Sequence, residues 1–137
     1  PVININTSSQ VNSDADLNVF TNNIEKSNSN VASVDTSSGK VTVEYAHKGK
    51  LLGLFEVTIN SETTIDTEKD GEIQTSLSWW SFLVSDVNYD QTTLESSLKN
   101  NTAIKSYAKA DATAKAKAII AETLVAELEV NSAASLK

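Results

Sequence analysis

His47 is the single histidine of this chain, so most of the common catalytic sites would require it. A serine hydrolase needs a histidine beside its nucleophile, and zinc sites are built mainly from histidine and cysteine. The 137 residues include one histidine and no cysteine, and no Gly-x-Ser-x-Gly motif surrounds any serine. His47 precedes the predicted turn Lys48-Gly49-Lys50, so we expect it to be solvated or hydrogen-bonded where a strand meets a turn. The sequence therefore predicts no catalytic residues and no zinc site.

The acidic segment from Asp66 to Gly71 resembles the first half of a calcium-binding loop. Acidic residues stand at the first, third and fifth positions and glycine at the sixth. The twelfth position is Leu77, where such a loop requires a bidentate glutamate. The flanking residues alternate as strands do, and Asp70-Gly71 is a favoured hairpin dipeptide. We therefore expect an acidic hairpin turn that binds no metal or other cofactor.

Pro1 carries a secondary amine that acts as a general base when an apolar pocket lowers its pKa. The opening Pro1-Val2-Ile3-Asn4-Ile5, followed by a predicted helix, resembles the start of the tautomerase superfamily over about 25 residues. That resemblance implies proton-transfer chemistry at Pro1. Those enzymes usually hold acidic substrates with arginine, and this chain has none. A second β-α-β unit is also missing from the pattern, so we expect that the protein is not an enzyme.

The adjacent pair Trp79-Trp80 indicates a contact surface. Neighbouring residues of a strand point to opposite faces, so one indole enters the core while the other lies on the second face. Trp80 and Phe82 share that second face, and Leu52 and Leu54 are candidates to extend the same apolar patch. Two interpretations remain open: the patch contacts a partner, or the N-terminal helix covers it.

The elements that position these residues follow from hydrophobic periodicity and turn signals. The spacing of Leu17, Phe20 and Ile24, with Ser13 as N-cap, predicts an amphipathic helix over 14–26. Asn100-Asn101-Thr102 predicts a helix break. The other expected elements are strands over 2–6, 31–34, 41–45, 51–65 and 72–87 and helices over 92–99 and 103–130.

The long helix predicted over 103–130 has an alanine-rich apolar seam whose spacings alternate between four and three. The seam is Ala103, Tyr107, Ala110, Ala114, Lys117, Ala121, Leu124 and Leu128. Ile119 and Ile120 fall off this seam, so we expect at least one of them to lie at the surface. With Trp80 and Phe82, these two isoleucines are the predicted binding or interface residues.

Together these patterns predict an α+β fold in one domain over 1–137. An antiparallel β-meander of about four or five strands packs against a long C-terminal helix and a shorter N-terminal helix. Consecutive strands joined by short turns make an antiparallel meander, and no repeat or second domain interrupts the pattern.

Charge and composition exclude several classes of partner. Eighteen acidic residues against eleven lysines give a formal net charge of −7, and without arginine the chain lacks the side chain best suited to grip phosphates. We therefore expect no nucleic-acid binding. No run of residues is long and apolar enough to predict a transmembrane segment. Without cysteine, no disulfides form.

These observations favour a non-enzymatic interaction or assembly protein, for example a structural subunit of a virus particle or surface assembly. Its expected partners are other copies of the chain or another protein. The alternative is a carrier that binds an apolar small molecule between sheet and helix. The compartment stays open: cytoplasm or virion if Pro1 follows a trimmed initiator Met, and secretion if a signal peptide was removed.

Overall fold

The computed structural model describes residues 5–37, 39–69, 71–77, 83–85, 91–109 and 112–135, with the side chains of 84, 85 and 133–135 outside this description. The elements are α1 (Asp14–Ser27), β1 (Val31–Asp35), β2 (Lys40–Leu51), β3 (Phe55–Asp66), β4 (Glu72–Leu77), β5 (Val84–Ser85), α2 (Gln91–Lys99), α3 (Thr102–Tyr107) and α4 (Ala114–Ser135). Short 3₁₀ turns lie at Ser8–Gln10 and Thr67–Lys69.

The strands form an antiparallel sheet in the order β1-β2-β3-β4. The β2–β3 hairpin is its longest ladder and runs from Lys40 paired with Asp66 to Leu51 paired with Phe55. After β4 the chain returns to β2, where β5 pairs at Lys50 and Leu51. The α+β prediction, an antiparallel sheet with a long C-terminal helix and an N-terminal helix, is confirmed.

One face of the sheet forms the core with the helices. Val41, Val43 and Tyr45 of β2 are buried in one cluster with Ile65 of β3. Val31 and Val34 of β1 belong to the same cluster, and the helices contribute Leu94, Leu98, Ile104, Ile120, Leu124, Val125 and Leu128. Each fully buried leucine or isoleucine contributes about 1.5–3 kcal/mol relative to leaving it exposed, so this layer holds the sheet and helices together.

The N-terminal helix forms for the reasons that its sequence predicts. The Ser13 hydroxyl oxygen accepts a hydrogen bond of 3.2 Å from the Asp16 backbone N–H, which satisfies one free donor at the helix start. Leu17 and Phe20 are buried, with Val11, in a second apolar cluster. The helix ends at Ser27, one residue beyond the predicted end.

The predicted helix over 103–130 is wrong, because two helices replace it. Asn101 Oδ1 accepts a hydrogen bond of 3.2 Å from the Ile104 N–H and begins α3, which ends at Tyr107. Thr113 Oγ1 accepts one of 3.1 Å from the Ala116 N–H and begins α4. Among the described residues of the predicted seam, those from Ala121 onward are buried, namely Ala121, Leu124 and Leu128, and the earlier ones are not.

The predicted turn at Lys48-Gly49-Lys50 is also wrong, because β2 continues through these residues to Leu51. His47 and Gly49 face the core while the two lysines are exposed, so the alternation of the strand is unbroken. The chain reverses instead at Leu52–Leu54. The turn of the β2–β3 hairpin therefore lies within a run of mostly apolar residues.

Two other predicted strands differ in extent. Ile5 and Asn6 are not in a strand, and the rest of the predicted strand over 2–6 lies outside the described residues. The strand predicted over 72–87 ends, within the described residues, at Leu77, and Val84–Ser85 pairs with β2. In the part of the chain that the structure describes, no helix is both long and apolar enough to cross a bilayer.

Candidate functional site

The four predicted interface residues are not brought together among the described residues. Trp80 and Phe82 lie outside them, as does Trp79. Ile120 is fully buried in the core, so the expectation that it lies away from the packed face is wrong. Its burial follows from the face that α4 presents to the sheet, where Ile120 lies one turn from Leu124. Ile119 is partly exposed.

The end of the β2–β3 hairpin exposes large apolar side chains. Leu52 is 65% exposed, Leu54 78% and Phe55 62%, and Leu83, the residue before β5, is 39% exposed. We call these four residues the apolar tip. The sequence offered Leu52 and Leu54 as candidates for an apolar patch, whereas Phe55 lies on the same face of β3 as the buried Ile59. The core does not extend to that end of the sheet, so Phe55 stays in water.

The turn inside the apolar tip has an unusual backbone for its residues. Leu52 has φ +54° and Gly53 has φ +75°, and the Leu54 N–H donates a hydrogen bond of 3.0 Å to the Leu51 carbonyl. Positive φ at both central positions is typical of a type I′ turn, which favours Asn-Gly or Gly-Gly. Leu52 is the one non-glycine residue with positive φ in the described chain. A leucine there costs about 1–2 kcal/mol.

Charged residues lie beside the apolar tip on the exposed face of β2 and β3. Lys48 and Lys50 lie on β2, and Glu56 lies on β3 opposite Lys50 in the register. All three are exposed. Among the described residues, the apolar tip is therefore bordered by two lysines and one glutamate, on a chain whose net charge is negative.

His47 is in a very different environment, because it is fully buried on the inner face of β2. Its Nε2 lies 2.7 Å from Ser61 Oγ, and its ring centroid is 5.2 Å from that of Tyr45, with the rings tilted by 46°. Ser61 is also fully buried. Neither side chain is open to solvent, so the pair forms a polar contact inside the core and not an accessible nucleophile. The predicted strand–turn position of His47 is wrong, since β2 continues beyond it.

The acidic segment forms the turn that reverses the chain between β3 and β4. Asp66 is buried, and its Oδ1 accepts a hydrogen bond of 3.0 Å from the Glu68 N–H. Gly71 has φ +84°, which allows the return into β4. Asp70 lies outside the described residues. Across the described part of the chain, no group of three or more histidine, aspartate or glutamate side chains is arranged to hold a metal ion.

Two open grooves flank α1. The one beside β1, of about 550 Å³, has a mostly polar lining that includes Asp14, Asp35 and Lys117. The one between α1 and α4, of about 270 Å³, has an apolar floor. Between the sheet and α4, where an apolar ligand was the alternative prediction, Ile120, Leu124 and Leu128 are fully buried in the core cluster.

Comparison with known proteins identifies no relative of this chain. No protein-family model, curated protein or solved structure matches the chain.

Proposed function

We propose that this protein is a non-enzymatic assembly subunit that associates with further copies of itself through the apolar tip. The observation that carries the proposal is the exposure of Leu52, Leu54 and Phe55 together at one end of the sheet. Single exposed apolar residues are ordinary, but a contiguous group with a polar surround is typical of contact surfaces. The apolar tip has both properties.

The backbone of the turn supports the same function. Asparagine would relieve the positive φ at Leu52 and would interact well with water. Leucine there is unfavourable both for the backbone and for solvation in the isolated chain. Strained residues persist where a function needs their side chain, and a contact surface needs an apolar one.

The alternative function, transport of an apolar small molecule between sheet and helix, has less support. The large side chains of α4 fill the layer against β2, and the two grooves beside α1 are open to solvent. In addition to the residues of the apolar tip, Trp80, Phe82 and Ile119 remain predicted contact residues of the assembly.

The test compares two substitutions of the same kind. We expect Leu54→Asp to lower the weight-average mass in sedimentation equilibrium, because a carboxylate in an apolar contact loses hydration without gaining a partner. Val130→Asp is the control, since Val130 is 66% exposed on α4 and lies outside the apolar tip. It should leave the mass unchanged. Equal masses for wild type and Leu54→Asp at every concentration would refute the proposal.

A further inference from the structure

The two edge strands of the sheet differ in how they are protected against further pairing. β1 has five residues, and its register with β2 shifts between Val31 and Ser33. The Val34 N–H donates a hydrogen bond of 3.3 Å to Glu25 Oε1 of α1, so a carboxylate occupies part of this edge. Short length, an irregular register and a covering helix are devices by which sheets prevent the addition of another strand. The β1 edge is therefore protected.

β4, the strand at the other edge, has none of these devices. Its six residues pair with β3 in an unbroken register, from Glu72 opposite Asp66 to Leu77 opposite Ser61. It contains no lysine or proline, and its one charged residue, Glu72, stands at its first position. Among the described residues, no strand pairs with its other side. Within that part of the chain, β4 therefore presents a row of backbone donors and acceptors to a further strand.

The rest of the fold holds β4 in place. Ile73 packs against the core cluster, and the Thr75 hydroxyl donates a hydrogen bond of 2.6 Å to Glu95 Oε1 of α2. Gln74 and Ser76, on the other face of the strand, are exposed. A strand that is already fixed loses little conformational freedom when another strand pairs with it. The β4 edge is therefore preorganised for pairing.

We infer that β4 pairs antiparallel with β4 of a second copy, about a twofold axis at Thr75. A twofold contact uses the same surface in both copies, and their inner faces coincide only when odd-numbered residues oppose odd-numbered ones. With Thr75 opposite Thr75, Ile73 of each copy opposes Leu77 of the other. On the outer face Gln74 opposes Ser76. Apolar side chains thus meet apolar ones and polar side chains meet polar ones, which stabilises strand pairs.

The side-chain pattern of β4 selects a second copy as the partner. In this register Glu72 lies outside the paired residues 73–77, so no like charges meet in the ladder although each chain carries a net charge of −7. An axis at Gln74 would instead place Ile73 opposite Thr75, and both apolar pairs would be lost. β4 is therefore complementary to itself in one register.

This contact is separate from the apolar tip and does not depend on it. β4 pairs with Ser61–Asp66 of β3, whereas the apolar tip lies at the other end of that strand. Two short strands pair only marginally in water, so the edge contact alone does not hold a dimer in a native-mass measurement. Where the tip gathers copies, the effective concentration of β4 rises and edge pairing becomes more frequent.

Disulfide trapping tests the register, since the chain contains no cysteine of its own. Gln74→Cys and Ser76→Cys place thiols at exposed positions that oppose one another in the two copies, within the Cα separation that a disulfide spans. Like positions are offset by two residues, about 7 Å along the strand, and lie too far apart. Under oxidised glutathione, the equimolar mixture should form mixed dimers well above their statistical share, and each variant alone should form few dimers.

The controls separate register from random collision and the edge from the tip. Intact mass spectrometry distinguishes the mixed dimer from the two like dimers, and circular dichroism melting curves verify folding. Ala32→Cys is the matched control, because Ala32 is exposed on the protected strand β1. Mixed with Gln74→Cys, it should give only the statistical share of mixed dimers. In a Leu54→Asp background, the original pair should form its mixed dimer more slowly but keep the excess.

No disulfide dimer, a statistical distribution or an excess of like dimers in the original mixture would overturn the inference. If Leu54→Asp still lowers the native mass in that case, the proposed function stands without the edge contact. An excess of mixed dimers from a chain whose native mass does not change with concentration would support the edge contact and refute the proposed function.

Discussion

The backbone N–H of Leu52 donates a hydrogen bond of 2.9 Å to the carbonyl oxygen of Leu83, and this bond joins two distant parts of the chain at one end of the sheet. Beside it, Lys50 and Leu51 pair with β5. The apolar tip is therefore not a loose loop. Its turn is held on one side by the β2–β3 ladder and on the other by the return of the chain, so that its apolar side chains are presented in a fixed arrangement.

The first prediction separates the stability of the turn from its role in association. Leu52→Asn should raise the free energy of unfolding by about 1 kcal/mol, because asparagine tolerates the positive φ that leucine resists. The same substitution should weaken self-association, because it removes an apolar contact. Urea denaturation and sedimentation equilibrium measure the two effects.

Leu54→Asn is the matched control for that prediction, since Leu54 is more exposed and does not have positive φ. It should weaken association without stabilising the fold. A Leu52→Asn variant that is less stable than wild type, or that associates as strongly, would contradict the interpretation of the strained leucine.

The second prediction compares Gly53 and Gly71, two of the three hairpin glycines with positive φ in the described chain. Gly53→Ala and Gly71→Ala should each cost about 1 kcal/mol for the backbone alone. A Cβ at position 71 would lie 3.1 Å from Ala108 Cβ, whereas one at position 53 would meet nothing within 4 Å. Gly71→Ala should therefore lower the unfolding free energy more than Gly53→Ala. If thermal melts rank the two in the reverse order, the packing of the β3–β4 turn against Ala108 is incorrect.

The third prediction follows from Tyr45, whose burial raises the pKa of its phenol above 10.0. The nearby Glu129 charge acts in the same direction, and a side-chain hydrogen bond with Asn30 acts against it. The folded chain therefore holds the phenolic proton more tightly than the unfolded chain. This contribution is fully present below pH 10 and is lost as the pH rises through the folded-state pKa.

Denaturant titrations below and above pH 10 test this prediction. The unfolding free energy of wild type should fall more steeply with pH above 10 than that of Tyr45→Phe, which has no phenol to ionise. The same slope in wild type and Tyr45→Phe would count against a buried, neutral phenol.

Local signals were sufficient to predict the meander and α1. The alternation of Val41, Val43 and Tyr45 specifies one buried face of β2, and the Ser13 cap with Leu17 and Phe20 specifies α1. Each of these segments has a clear hydrophobic periodicity and a clear sequence signal for its start or end. Their prediction required no knowledge of what packs against them.

The alanine- and lysine-rich stretch after Tyr107 lacked such a signal. Alanine favours a helix throughout, so a continuous helix matched the pattern as well as two helices did. The Thr113 side chain caps the start of α4 after the break, and the face that α4 buries depends on the sheet. Ile120 was misplaced because small side chains define an apolar seam only weakly.

The apolar tip was only partly predictable for a related reason. Alternation assigns Phe55 to the same face as Ile59, and the structure agrees on the strand and its pairing. The alternation of side chains along a strand does not predict how far the helices cover the sheet. Ile59 is fully buried, whereas Phe55, four residues earlier on the same face, is 62% exposed.

The most direct test of self-association through the apolar tip is the native mass of the wild-type chain across a concentration series from low micromolar to millimolar. We expect the mass to rise with concentration from that of one 14.7 kDa chain, and the rise to disappear in Leu54→Asp. A single 14.7 kDa species over the whole series would contradict the account.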